Sequence, residues 1–216
     1  FLAVVAGAKF DTKVDPLYAL VQQADHLMLG GVIFNAYLAA KYKIRIKGIE
    51  DDDLEQAAGF VEFSSKFPGK IIEPSIIVES DIPDAREEGK YRKVDIRNLK
   101  SGTELNYIYD VAAESFAEPA VSEKFHSART VFVNAVMGYT PHYNEGTIAL
   151  DQLIDETRDS VKLYGGGDTM QELKRLLPGL YIAAIDSPEY YIFTGGGAVL
   201  KAIEKGSVDG LAPVRA

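Results

Sequence analysis

Apolar residues follow two rhythms along this chain. Short, mostly apolar runs occur at Phe1–Ala6, His26–Leu29, Thr130–Val133 and Tyr190–Thr194, with strand-like stretches at Ile71–Val78, Tyr107–Val111 and Ser160–Tyr164. Unbroken apolar runs are expected of strands covered on both faces, as in a parallel sheet. Between them the apolar positions fall at helical spacing: Leu17, Leu20, Val21 and Ala24; Leu54, Ala57, Ala58 and Val61; Ala120, Val121, Phe125 and Ala128; Met170, Leu173, Leu176 and Leu177; Val199, Leu200 and Ile203. Val32–Tyr42 is apolar almost all round, which predicts a helix buried on several sides, and Ile148–Thr157 also reads as helix. Leu180–Ile185 reads as one more strand. Strands alternating with helices predict an α/β protein: a Rossmann-like three-layer α/β/α sandwich around a mainly parallel sheet, in one domain over residues 1–216.

Local signals refine the boundaries. Asp15-Pro16 reads as N-cap and first residue of a helix. The acidic cluster Glu50–Glu55 suits a helix start, where carboxylates meet the positive end of the dipole, better than a metal site. Pro74 restricts the run around it to an edge, a bend or a strand start, and Pro119 limits any helix before it. Glu79–Gly102 is polar without a sustained apolar period, which fits a surface excursion or a small antiparallel ribbon.

Four strand–glycine–helix joints carry the candidate chemistry, at Gly7, Gly30-Gly31, Gly165-Gly166-Gly167 and Gly195-Gly196-Gly197. Glycine allows positive φ and close backbone approach, so successive N–H groups can converge on one anion, and the helix that follows adds its unpaired N–H groups. In a parallel sheet all four joints fall on the same edge, where open α/β sheets hold ligands. Asp168 at the mouth of the third joint suits Mg²⁺, which favours oxygen ligands shared between a carboxylate and substrate phosphates. Thr169 offers a hydroxyl to a phosphate or to the helix as a cap. Lys9 and Lys13 follow the first strand, and Asn134 ends Thr130–Val133. At Gly30-Gly31 the glycines serve either a flat base or the close packing of helix on strand. Neither a Walker sequence nor Gly-x-Gly-x-x-Gly is present.

Composition narrows the chemistry. The chain has 216 residues, 47% hydrophobic and 25% charged, enough for a sizeable core. Its net charge of −9 disfavours non-specific binding to nucleic acid or anionic membranes. Cysteine is absent, which excludes disulfides, thiol catalysis and Cys-ligated metals, and three histidines make a multi-His centre improbable. No apolar run reaches the roughly 18–20 residues of a membrane span. Phe1–Val5 begins directly as a core strand, which does not support a signal peptide and reads as the opening of a piece of something larger. The missing targeting signal and cysteines point to the cytoplasm.

Ala6-Gly7-Ala8-Lys9-x-x-x-Lys13, Gly30-Gly31, Val133-Asn134-x-x-x-Gly138, Gly165–Thr169 and Thr194–Ala198 resemble, in order and spacing, the C-terminal, nucleotide-binding half of phosphoglycerate kinase, from Phe1 to about Val214. The resemblance implies a site for MgADP or MgATP. Lys9 then matches the lysine beside the transferred phosphoryl group and Lys13 the lysine on the nucleotide phosphates. Asn134 would lie beside those phosphates, Gly165–Thr169 would cradle them, and Asp168 would assist Mg²⁺. Gly195, Gly196 and Gly197 would face the transfer site, while Gly30 and Gly31 would flank adenine. The implied reaction moves a phosphoryl group between 1,3-bisphosphoglycerate and ADP, giving 3-phosphoglycerate and ATP. The family's N-terminal half, which holds the 3-phosphoglycerate patch and a catalytic arginine, has no counterpart here, so this chain alone is expected to turn over negligibly.

The sequence departs from the family in places. Ala6 replaces the first glycine of Gly-Gly-Ala-Lys, Ser75-Ile76 follows Pro74 where Val-Asp is usual, and Val133–Pro141 replaces Trp-Asn-Gly-Pro-x-Gly-x-Phe-Glu. The glutamate that meets the ribose is therefore missing at its spacing, with Glu145 a substitute after a shortened loop.

Overall fold

The computed structural model describes residues 1–10 and 13–205; Asp11-Thr12 and the final part of the resemblance, beyond residue 205, lie outside them. The unbroken apolar runs form the central sheet. Its strands are β1 (Leu2–Gly7), β2 (His26–Gly30), β4 (Ile71–Ile72), β9 (Thr130–Asn134), β10 (Val161–Gly165) and β11 (Tyr190–Phe193), in the order β11-β10-β9-β1-β2-β4. Every pairing within it is parallel, with Val4 between Met28 and Val133. Leu2–Ala6 are all buried, as interior strands of such a sheet must be.

Helices cover two faces. Helix α1 (Val14–Gln23) packs on α9 (Gly196–Lys205) and on α3 (Asp51–Ser64), which also meets α2 (Gly31–Tyr42). Helix α6 (Glu145–Glu156) packs on α5 (Pro119–His126) and α7 (Gly167–Leu176). The three-layer α/β/α arrangement expected from the alternation is present. Ile33–Ala39 of α2 are buried without a break, as its all-round apolar character predicted. At its end, Glu73 accepts hydrogen bonds from Tyr37 and Tyr42, both at 2.8 Å, and from Lys41.

Three boundaries differ from the sequence reading. Leu180–Ile185 is not a strand but part of helix α8 (Pro178–Asp186). Pro178 opens that helix where its missing N–H costs nothing, and only Ala184 of its residues is buried, so its apolar side chains show no period. Ile71–Val78 is broken at Pro74: β4 ends at Ile72, and β5 (Ile76–Ser80) enters a separate antiparallel sheet between β6 (Tyr91–Asp95) and β8 (Tyr107–Val111). The polar stretch 79–102 therefore includes the ribbon alternative, as β6. Helix α1 starts at Val14 with Lys13 in the cap position, two residues before the expected Asp15 cap. Helix α4 (Glu114–Ala117) stops ahead of Pro119, which begins α5. A further pair, β3 (Arg45–Ile46) and β7 (Glu104–Leu105), completes the strands among the described residues.

The acidic start of α3 has a second use. Asp53 is buried and accepts the Phe10 N–H at 2.7 Å, while the Phe10 ring, fully buried, meets Phe60 edge-on at 6.0 Å. That fastens the loop bearing Lys9 and Lys13 to the core. His26 lies at the opposite, N-terminal end of β2, away from this loop.

On α6, Asp151 is buried and accepts the Tyr164 hydroxyl at 3.0 Å. Burial pushes its carboxyl from 3.8 up to about 7. The folded chain keeps a proton that the unfolded chain loses near pH 4. Its contribution to stability is therefore full below about pH 4 and is lost as pH rises through about 7. Asp151→Asn keeps the acceptor and removes the titration, so its urea midpoint should vary less with pH across this window than that of the wild type.

Candidate phosphate and nucleotide site

All central strands run the same way, so their carboxyl ends share one edge, and four of the five fragments singled out from sequence meet there. A cavity of about 920 Å³ opens at this edge, lined by Gly7, Lys9, Lys13, Gly31, Asn134, Gly166, Gly167, Asp168 and Thr169, among others. Lys9 is exposed and Lys13 half-buried.

Lys13 and Asn134 form the centre. The Lys13 ammonium donates to the Ala6 carbonyl and, at 2.6 Å, to Asn134 Oδ1. Asn134 Nδ2 in turn donates to the Gly165 carbonyl at 2.7 Å. Both acceptors of Lys13 are neutral, and no carboxylate lies within ion-pair distance of it among the described residues. Burial lowers its pKa from 10.5 to about 8, partly offset by the negative charge of Asp168. A desolvated cation with neutral partners, beside an open cavity, has the chemistry to accept an anion.

The third joint supplies the second anion-binding element. Gly166 is the N-cap of α7 with φ 109°, a conformation that favours glycine, so the cap position is not Thr169. A Cβ at Gly166 would also lie 2.5 Å from Asn134 Nδ2. Gly167 has open space where its Cβ would stand, and it begins a helix whose first N–H groups have no partner within the helix. Asp168 is exposed at the second position of α7 and Thr169 is buried at the third. Among the described residues no cluster of three or more His, Asp or Glu forms a metal cage. One carboxylate beside a phosphate site suits Mg²⁺, which retains waters and takes its remaining ligands from phosphates.

Four sets of expected residues stand elsewhere. Gly30 is buried: a Cβ there would meet Met137 Sδ at 2.6 Å and Ala6 Cβ at 2.9 Å, so it serves close packing, and of this pair Gly31 alone lines the cavity. Gly165 lies under the Phe193 ring, 2.4 Å from where its Cβ would be. Gly195, Gly196 and Gly197 do not line the cavity. Gly196 brings α9 against the site from behind, since its Cβ would fall 2.5 Å from Asn134 Nδ2 and 2.8 Å from Gly166 Cα. Glu145 lies outside the cavity lining and pairs with Arg86 at 2.6 Å.

The far end of the cavity was not read from sequence. Tyr107, Tyr109 and Tyr139 line it with Ile49, Asp84 and Asp110. Alternation along β8 signals that Tyr107 and Tyr109 share a face, but no sequence signal brings Tyr139 to them. Asp110 is buried, accepts the Val111 and Gly146 N–H groups, and is pushed up to about 7 by burial.

The fold and this edge define a parallel α/β protein with a cavity at the carboxyl ends of its strands, where a desolvated lysine and the start of α7 meet. The phosphoglycerate kinase family model matches residues 1–206, and the chain belongs to that family. It is 28% identical over 212 residues to phosphoglycerate kinase of Syntrophobacter fumaroxidans, covering 97% of this chain and 50% of that protein. Against the Lactobacillus johnsonii enzyme it is 29% identical over 223 residues, covering 99% of this chain and 49% of that protein. The structure of phosphoglycerate kinase from Coxiella burnetii superposes with a TM-score of 0.76 at 26% identity, over 96% of this chain and 50% of the other. The Pyrococcus horikoshii OT3 structure shares the fold at TM-score 0.77 and 20% identity, over 99% of this chain and 51% of that one. The chain thus spans about half the length of the relatives it matches.

Burial of the Lys13 charge destabilises the folded state below about pH 8, and that penalty fades as pH rises toward 10.5, where the unfolded chain also loses the proton. Lys13→Met should therefore raise the thermal midpoint at about pH 7, and the gain should shrink by about pH 10. Scanning calorimetry at both pH values tests this.

Proposed function

We propose that this chain is the nucleotide-binding domain of a phosphoglycerate kinase-like enzyme, with residues 1–216 equivalent to the C-terminal half. The carrying observation is the Lys13 ammonium, desolvated and held by Asn134 and the Ala6 carbonyl beside the N-terminus of α7. Phosphoryl transfer demands little covalent chemistry of a protein; it needs positioning and positive potential around the phosphate oxygens. Lys13 and the first N–H groups of α7 would hold the phosphates of ADP or ATP. Lys9, on the same loop, would neutralise charge on the phosphoryl group in transfer. Asp168 would hold Mg²⁺, which supplies further neutralisation when bound. Gly195–Gly197 support the site through the contact of Gly196 with Asn134 and Gly166.

The whole reaction, between 1,3-bisphosphoglycerate and ADP, requires a second, acid-binding half such as the relatives' remaining length would provide. In that reading the 216 residues bind nucleotide and turn over negligibly by themselves. Glycolysis and a cytoplasmic setting follow from the proposed reaction. No helix among the described residues is long and apolar enough to cross a membrane. A second reading is a nucleotide-binding module that has lost kinase activity. What favours it is the changed segment Val133–Pro141, together with the engagement of Glu145 by Arg86 outside the cavity.

Calorimetric titration of the chain with MgADP tests the shared core of both readings. Wild type should bind, and Lys13→Ala and Asp168→Ala should each weaken binding about tenfold or more, since charge-assisted contacts contribute ~1.5–3 kcal/mol. Affinity should fall as pH rises through about 8, where free Lys13 loses its proton. Absence of binding by folded wild type would refute the nucleotide assignment. Rapid turnover by the 216 residues alone would refute the need for a second half.

A further inference from the structure

The aromatic end of the cavity is built around one carboxylate. Asp84 is exposed, lines the cavity and adopts φ 54°. Its backbone N–H donates to the Tyr109 hydroxyl at 3.0 Å, and its Oδ1 accepts the Tyr139 hydroxyl at 2.9 Å. The two rings lie 4.8 Å apart, and their backbones are joined by Tyr139 N–H to Tyr109 O at 2.7 Å. Asp84, Tyr109 and Tyr139 are therefore one unit, with contributions from a loop, β8 and the segment after β9.

That loop is fastened independently on its outer side. The Arg86 guanidinium stands 4.6 Å from the Tyr91 ring centroid and 5.0 Å from that of Tyr143. It donates to the His142 carbonyl at 3.0 Å and pairs with Glu145 at 2.6 Å. Tyr143 also donates to the Ala85 carbonyl at 3.2 Å. With Arg86 and Ala85 held this way, Asp84 presents its carboxylate at the cavity as an oriented group.

The chemistry of the unit suits a flat ring joined to a polyol. Tyr139 keeps 41% of its surface exposed although its ring contacts Tyr109, so an aromatic surface remains available at the cavity. An ionised carboxylate only accepts hydrogen bonds, through about four lone-pair sites, and Tyr139 uses one of them. Asp84 Oδ2 has no hydrogen-bond donor among the described residues. Glu145, the other candidate acid, is taken by Arg86 and lies outside the lining.

We propose that Asp84 accepts the sugar hydroxyls of the bound nucleotide and that Tyr139, backed by Tyr109, forms the face on which its base stacks. This rests on the nucleotide reading above and adds its specificity residues. Stacking on tyrosine is available to any base, so the unit selects for a ribose more than for a particular base.

The test is calorimetric titration of the 216-residue chain with Mg²⁺ complexes of ADP, 2′,3′-dideoxy-ADP and tripolyphosphate. Asp84→Ala should weaken ADP about tenfold and leave the dideoxy analogue and tripolyphosphate unchanged. Tyr139→Ala should weaken ADP and the dideoxy analogue alike, also about tenfold, and spare tripolyphosphate. Tripolyphosphate binding reports an intact phosphate end in each variant; should Asp84→Ala lose it, Asp84→Asn, which keeps the shape and the Tyr139 acceptor, takes its place with the same expectation in direction. Wild-type affinity of the aspartate variant for ADP, or an equal loss for the dideoxy analogue, overturns the assignment of Asp84. A wild type that binds tripolyphosphate but gains nothing from the nucleoside overturns the nucleotide reading itself, and this inference with it.

Discussion

The amide of Asn134 is the joint on which the site depends. Its nitrogen holds the Gly165 carbonyl at 2.7 Å and its oxygen holds the Lys13 ammonium at 2.6 Å, so one side chain ties the end of β9 to the end of β10 and to the loop after β1. Each hydrogen bond constrains the other, because turning the amide to improve one would lose both. Two glycines are required by this geometry: a Cβ at Gly166 or at Gly196 would come within 2.5 Å of the same nitrogen. Three strand–helix joints are thereby drawn to one point.

Around that joint, burial and charge oppose each other. Lys13 is desolvated enough for its pKa to fall to about 8, yet among the described residues it is given carbonyl-type partners and no carboxylate within ion-pair distance. A paired lysine would contribute more stability and less affinity for an anion. Asp168 nearby lessens the charge penalty without forming an ion pair, and it remains exposed at the start of α7. Stability surrendered at a cavity-lining charge is a common feature of functional sites. Phe10, buried against Phe60 and held by Asp53, supplies the rigid attachment that such a loop needs.

The opposite end of the cavity follows a different rule. There polar groups hold one another in place: Asp84 with Tyr109 and Tyr139, Arg86 with Glu145 and His142. Asp84 brings a carboxylate from another loop to the cavity lining. The change at Val133–Pro141 and the tyrosines are parts of the same local arrangement, since Tyr139 belongs to that segment and contacts Asp84 directly.

Sequence by itself determined the sheet and the edge at which its glycine joints gather. Leu2–Ala6 or Val131–Val133 can be buried only in a strand covered on both faces, and parallel strands must end their glycine joints on one side. Glycine placement marked that edge because few other residues allow the φ of 109° at Gly166. What sequence did not determine was which side chains face the opening. Gly30 and Gly31 are neighbours in the chain, yet one lies under Met137 and the other lines the cavity. Leu180–Ile185 is helical because Pro178 starts a helix on a surface where apolar periodicity is not enforced by burial. Asp53, Asp84 and Tyr139 acquire their parts from contacts across 43 and 55 positions of chain, at Phe10 and between Asp84 and Tyr139. Local pattern fixes what a segment buries; only the tertiary structure decides which polar groups from distant segments meet.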